Sequence, residues 1–172
     1  MEEASIKKLQ VLSFFLDQDC FGAEISAIQE VIEYRPITRV PRSPDFMLGV
    51  INLRGQVIPV VDLRLYFSLN VSEPTVNTCI IIIDVKLSGE SFALGLLADS
   101  VKEVVELDTS DIKPPPKLGN VIDNKFILGM VEYNKLLIIL LSLARIFSDD
   151  ELQHIADGSE PSETVIEESD GT

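Results

Sequence analysis

The sequence predicts an all-β fold made of two related, closely packed units. Three observations carry this expectation. Short apolar runs rich in Val, Ile and Leu recur between turn signals, a 22-residue segment is repeated in register, and only 6% of the residues are aromatic, with no Trp. An aliphatic core in short β-branched runs favours strands over independent helices. The chain has 172 residues, 46% of them hydrophobic, which is enough for a core that folds by itself.

The elements follow in order. The opening MEEASIKK places acids where a signal peptide would carry positive charge. Leu9 to Leu16 reads as the first strand. Arg35 to Arg42 (RPITRVPR) is a Pro-rich basic loop, either a solvated run or an anion site. A helix is expected from Asp45 through Val50, capped by Ser43 or Asp45. Val57 to Val61, Cys79 to Val85, Phe92 to Ala98, Phe126 to Val131 and Leu136 to Leu141 read as further strands. Asn70, Gly89, Asn120 and Asn134-Lys135 mark bends between them, and Pro114-Pro115-Pro116 excludes regular helix or central strand. A second helix is expected over Ser142 to Phe147. From Asp149 the chain is rich in acids, Ser, Gly and Pro, with a short helix expected to reach Ala156 and disorder beyond it. The longest apolar run, Leu136 to Leu141, falls far short of the ~20 residues that span a bilayer, so a soluble cytoplasmic protein without membrane insertion is expected.

The repeat aligns Phe46–Phe67 (FMLGVINLRGQVIPVVDLRLYF) with Phe126–Phe147 (FILGMVEYNKLLIILLSLARIF) without a gap. Phe46 meets Phe126, Leu48 meets Leu128, Gly49 meets Gly129, Ile58 meets Ile138, Leu63 meets Leu143 and Phe67 meets Phe147. Upstream, Ile28–Tyr34 (IQEVIEY) matches Val101–Leu107 (VKEVVEL). Two subdomains on one plan follow. Each alone, at roughly 70–75 residues, would have a marginal core, so the two are expected to share an apolar interface with a groove between them.

Charge and residue inventory exclude several function classes. Net charge is −14, with all 14 Lys and Arg before Ser148 and nine of the 28 acids from Asp149 onward. No basic stripe is available for a nucleic-acid backbone. Cys20 and Cys79 have no metal-ligand spacing, and His154, the single histidine, has no ligand companions, so no metal is expected. Cys79 reads as a small buried hydrophobe, with a disulfide to Cys20 left open. No credible base serves a Ser or Cys nucleophile, and the glycines form no phosphate-binding loop. Neither an enzyme nor a cofactor is expected.

Asn52-Leu53-Arg54-Gly55 differs from these negatives. Asn52 and Gly55 are turn formers that present Arg54 from a rigid base, just before the strand Val57–Val61. The matching turn of the repeat carries Asn134 and Lys135, so Arg54 is not required merely to make the bend. Glu30 is a candidate partner, and an Arg54–Glu30 pair would serve orientation and specificity more than stability.

These residues resemble the CheW-like domain family. Gly49–Phe67 is similar to that family's signature, a G-x-x-N-L-R-G turn leading into a strand with a D-L-R ending. Phe21–Ile25, Ile28–Ile32, Ile37–Pro41, Leu94–Val105, Ile112–Pro115 and the strand pair from Gly129 agree in the same order, so the resemblance covers about residues 9–148. It implies two five-stranded SH3-like β-barrels sharing a hydrophobic core, with strands open to exchange between them, followed by a largely flexible acidic tail over 149–172. It further implies a non-enzymatic adaptor that binds the regulatory domain of the histidine kinase CheA and the cytoplasmic tip of chemoreceptors, at polar arrays. The family's receptor-contacting positions carry over onto Ile28, Glu30, Val31, Arg54, Val101 and Val104. A related chemosensory pathway for surface motility or development, and a small-ligand-binding barrel, are the competing readings.

Overall fold

The computed structural model describes residues 7–114 and 126–158. Ten strands run in chain order: β1 (Lys8–Leu16), β2 (Asp19–Glu24), β3 (Ile28–Glu33), β4 (Met47–Leu53), β5 (Gln56–Asp62), β6 (Cys79–Leu87), β7 (Glu90–Ala98), β8 (Ser100–Asp108), β9 (Ile127–Tyr133) and β10 (Leu136–Leu141). Two helices join them, α1 (Leu63–Tyr66) and α2 (Asp149–Gly158). The strands form two five-stranded sheets of order β3-β6-β7-β5-β4 and β8-β1-β2-β10-β9. This is the all-β, paired SH3-like architecture that the sequence predicts.

The repeat is visible strand for strand, because β1 to β5 correspond to β6 to β10. The two sheet orders are identical once each strand is replaced by its counterpart. Yet neither sheet is one half of the chain. Each combines the first hairpin of one half with the last three strands of the other, so β1-β2 completes the sheet of β8, β9 and β10, while β6-β7 completes that of β3, β4 and β5. The exchange is reciprocal, and neither half has its own hairpin to pair with.

Matching details recur at matching places. The parallel pairs β5/β7 and β10/β2 set Val60 opposite Gly95 and Leu140 opposite Gly22. At both glycines an added Cβ would fall within 3 Å of a neighbouring side chain, Val11 at Gly22 and Ile80 at Gly95. The identical Gly49 and Gly129 let a crossing segment pass: Thr38 bridges to Val50 and Lys113 to Met130. A Cβ there would meet the Thr38 carbonyl oxygen at 2.0 Å or that of Lys113 at 2.6 Å. Two-residue hairpin turns at Arg54-Gly55, Ser88-Gly89 and Asn134-Lys135 take the left-handed φ values that match strand twist.

Each sheet has an interior cluster, around Ile58, Ile80 and Ile82 in one and Val11, Ile138 and Leu140 in the other. A larger cluster including Phe14, Leu63, Ile81, Ile83, Leu94 and Leu143 lies between the sheets. Aromatic rings cross it in pairs related by the repeat, Phe67 on Phe126 at 5.3 Å and Phe46 on Phe147 at 5.7 Å. Offset stacking of this kind adds roughly 0.5–1.5 kcal/mol per pair beyond area burial. Cys20 and Cys79 are both buried and free, in different clusters. Burial pushes the Cys79 thiol up to about 11 and raises that of Cys20 as well, so both stay protonated.

Two expected helices are corrected. Asp45–Val50 is not a helix: β4 begins at Met47, and its alternating burial through Leu53 has the two-residue period of a strand. Gly49 at φ +148 also lies outside the helical region. The Ser43 hydroxyl, expected as a cap, donates instead to the Val40 carbonyl at 2.8 Å. Ser142–Phe147 forms turns rather than a helix, tied by the Arg145 amide to the Ser142 carbonyl. The short helix expected to reach Ala156 is present as α2, which runs from Asp149 to Gly158. Asn120, Pro115, Pro116 and the disorder expected beyond residue 158 lie outside the described residues.

The signal for α2 was present in the sequence. Ser148 and Glu151 form a capping box, with the Ser148 amide donating to Glu151 Oε1 at 2.9 Å and the Glu151 amide to Ser148 Oγ at 3.1 Å. Leu152 and Ile155, three apart, are buried in the central cluster. Tyr66 Oη lies 2.9 Å from the Ile146 carbonyl and 2.8 Å from Glu151 Oε1, fastening α2 to α1. Burial, then the Glu151 hydrogen bond, raises the phenol pKa far above its ordinary value. Leu152→Ala should therefore cost about 2–5 kcal/mol, read as a lower urea midpoint at unchanged m-value. A change below ~0.5 kcal/mol would mean that α2 adds nothing to the core.

Candidate functional site

The sheet β3-β6-β7-β5-β4 leaves β3 and β4 as its two edges, and the chain draws them toward each other with polar contacts. Arg54, at the tip of the β4–β5 hairpin, forms an ion pair with Glu30 on β3. Arg35 Nη1 donates to the Asn52 carbonyl at 3.0 Å, and Thr38 pairs with Val50 through two backbone hydrogen bonds. The turn is fixed locally, because the Gly55 amide donates to Asn52 Oδ1 at 3.0 Å. Arg54 is thus held at φ 51 on a built turn while its side chain stays 68% exposed. An exposed pair of this kind is worth roughly 0–1 kcal/mol in stability, so its consequence is the direction in which Arg54 points.

The equivalent seam of the other sheet is built differently. Glu103 and Asn134 stand where Glu30 and Arg54 do, and Glu103 pairs with Lys102, its own neighbour, at 3.5 Å. The buried Ser13 hydroxyl donates to the Glu103 carbonyl at 2.9 Å. A small cavity of about 50 Å³ lies there, with Tyr133, Leu136 and Ile138 in its lining. The repeat therefore reproduces the barrel but not the arginine.

The aliphatic candidates fall on the two equivalent edge strands. The β3/β6 register shifts between Ile28 and Glu30, leaving Gln29 as a bulge, and β8 shifts at the matching Lys102. The bulge sets Ile28 and Val31 opposite Ile83 and Ile81, both members of the central cluster. Val101 and Val104 likewise stand opposite Phe14 and Leu12 of that cluster. Ile28 and Val101 are partly covered by it, whereas Val31 is 40% exposed and Val104 53%. Glu30 stands opposite Ile82, an interior residue of its own sheet. The ion pair and the aliphatic pair thus use opposite faces of the same edge strand.

A second charged group, whose motif the sequence displays without its role, is buried. Arg64 at the start of α1 is 4% exposed, and Asp62, which caps that helix, is 1% exposed. Asp62 accepts from Arg64 Nε and Nη2, each at 3.0 Å, and Asp99 Oδ1 accepts from Nη1 at 2.7 Å. Burial opposes the charge on Arg64, but the hydrogen bonds and attraction of Asp62, then Asp99, outweigh it and raise its pKa. Asp99 also accepts from the Asp17 amide at 2.6 Å, linking the β1–β2 turn of one sheet to β5 of the other. No sequence signal marks Asp99 as the partner, because the contact spans 35 residues.

Among the described residues, no group of three or more His, Cys, Asp or Glu side chains is placed to hold a metal. His154 lies on α2 with its ring largely exposed. No helix among the described residues is long and apolar enough to cross a membrane.

Two five-stranded units with exchanged hairpins, edge strands that border a shared core and one arginine presented at a seam define a paired SH3-like barrel module. Residues 10–151 match the family described as the CheW-like domain, and the chain belongs to that family. The chain is 31% identical over 142 residues to the probable chemotaxis protein CheW of Rhizobium etli, covering 83% of this chain and 89% of that protein. Protein FrzA of Myxococcus xanthus is 32% identical over 111 residues, 64% of this chain and 66% of FrzA. The crystal structure of the scaffolding protein TtCheW from Thermoanaerobacter tengcongensis superposes with a TM-score of 0.73 at 32% identity, covering 84% of this chain and 91% of that one.

Proposed function

We propose that this chain is a non-enzymatic, cytoplasmic adaptor that couples chemoreceptors to the histidine kinase CheA in signalling arrays. The observation that carries the reading is the family match over residues 10–151, in which relatives of nearly equal length bear chemotaxis and scaffolding names. The receptor surface is assigned to Ile28, Glu30, Val31 and Arg54 at the β3 edge and to Val101 and Val104 at the β8 edge. Exposed Val31 and Val104 supply apolar contact for the helices of a receptor tip, and Arg54 supplies a directed charge. The CheA regulatory domain is the second partner. The match to FrzA supports a related pathway as the alternative setting for the same adaptor chemistry.

The first test is a pull-down of the purified chain with the CheA regulatory domain and a receptor cytoplasmic fragment from the same organism. Capture of both is expected; capture of neither by a folded sample overturns the reading. Arg54→Glu should leave the urea midpoint within about 1 kcal/mol of the parent, since the ion pair is exposed. The same change should weaken receptor binding at least about tenfold, or ~1.4 kcal/mol. Exchanging the charges in Glu30→Arg/Arg54→Glu restores an ion pair without restoring Arg54. Binding recovered by that exchange would show that the pair serves only the barrel.

A further inference from the structure

Two opposite charge features remain that the adaptor reading does not use. Arg39 and Arg42 lie in the loop between β3 and β4, and neither pairs with a described carboxylate. The loop is held in place at three points, by the Thr38–Val50 bridge, the Ser43 hydroxyl on the Val40 carbonyl and the Met47 amide on the Pro44 carbonyl at 2.9 Å. An open cavity of about 410 Å³ is lined by Arg39 through Asp45 and by Met47. Asp45 is its one acid, against the two arginines.

The last described residue comes to rest on this loop. A Cβ added at Gly158 would stand 3.3 Å from Ser43 Cβ and 3.2 Å from Met47 Sδ. The chain that continues from there, residues 159–172, carries Glu160, Glu163, Glu167, Glu168 and Asp170 and no basic residue. Fully extended, its 14 residues would reach roughly 46–50 Å, so the cavity is within range of all five acids. A tether this short holds the acids at an effective concentration in about the millimolar range, enough to populate contacts that would be weak between separate molecules.

We propose that the acidic segment 159–172 docks in cis on the Arg39–Met47 loop. Its carboxylates neutralise Arg39 and Arg42 beside the cavity. The contact stands on charge and placement independently of the adaptor reading. Because the arginines are surface groups, the docking is an equilibrium that salt weakens. An acidic partner segment would have to displace the chain's own.

The test uses the full ¹⁵N-labelled chain and a full-length variant, E160Q/E163Q/E167Q/E168Q/D170N. In about 20 mM salt the amides of Arg39, Arg42, Ser43 and Met47 should differ in shift between the two proteins, and in about 0.5 M salt they should converge. R39Q/R42Q, in the full chain, should increase fast backbone motion across residues 160–170. Identical low-salt spectra over residues 39–47, or differences that persist in high salt, would overturn the proposal. Differences that grow with protein concentration would overturn it too, by assigning the loop to the tail of a second copy.

Discussion

Arg64→Met is expected to destabilise the protein by about 3–5 kcal/mol. The substitution fills much of the volume but leaves Asp62, 1% exposed, with no cation and two empty acceptor positions. It also frees Asp99, which otherwise connects Arg64 to the β1–β2 turn. The loss comes from the stranded carboxylate rather than from a large net benefit of the pair. Asp62→Asn/Arg64→Met should therefore recover a substantial part of the stability, since it removes the buried charge together with its partner. Urea unfolding of the two variants checks this. A single variant within 1 kcal/mol of the parent would show that water reaches Asp62 and that the cluster is not a buried one.

Gly49→Ala should be nearly as damaging, at about 3 kcal/mol or more, for a backbone reason. The methyl group would enter within 2.0 Å of the Thr38 carbonyl oxygen, and that oxygen is fixed by accepting from the Val50 amide at 2.8 Å. The φ of +148 adds strain for any L side chain. Gly55→Ala is the control. Its φ of +87 is also left-handed, but an added Cβ meets nothing within 4 Å, so the cost should be only about 1–2 kcal/mol. Equal losses at the two sites would mean that the crossing of Thr38 over β4 does not constrain the fold. If Gly49→Ala unfolds the chain outright, the same comparison at Gly129, where the Lys113 carbonyl stands at 2.6 Å, gives the graded readout.

The glycine pair also shows why the internal repeat keeps the identities it does. Of the six residues identical between the two copies, Gly49 and Gly129 admit a crossing strand, while Phe46, Phe67, Phe126 and Phe147 stack across the shared core. Leu63 and Leu143, and Ile58 and Ile138, are buried. Arg54 and Arg64, by contrast, have Asn134 and Ala144 as counterparts, so the first copy alone carries the charged specialisations. Departure from the repeat marks Arg54, whereas the aliphatic candidates Ile28, Val31, Val101 and Val104 sit at repeat-equivalent positions.

Periodicity and turn chemistry by themselves determine that this chain is all-β, that it is built twice on one plan and that Arg54 is displayed on a rigid turn. Those features are local: alternation of apolar residues, left-handed turn positions and an ungapped repeat are properties of short stretches. The placement of a helix was less local. Asp45–Val50 has an acceptable cap and apolar content, but pairing with β5 and the crossing at Gly49 impose a strand, while α2 forms where its capping box and two buried residues meet the central cluster. Only the tertiary structure decided which hairpin joins which sheet, that Asp99 answers Arg64 from 35 residues away and that a bulge turns Ile28 and Val31 toward the shared core while Glu30 faces the seam. Strand exchange preserves every local preference of β1, β2, β6 and β7, since each hairpin meets an equivalent set of partners in either half. The choice between the two arrangements therefore rests on loop reach and the packing of the shared core, which no window of sequence contains.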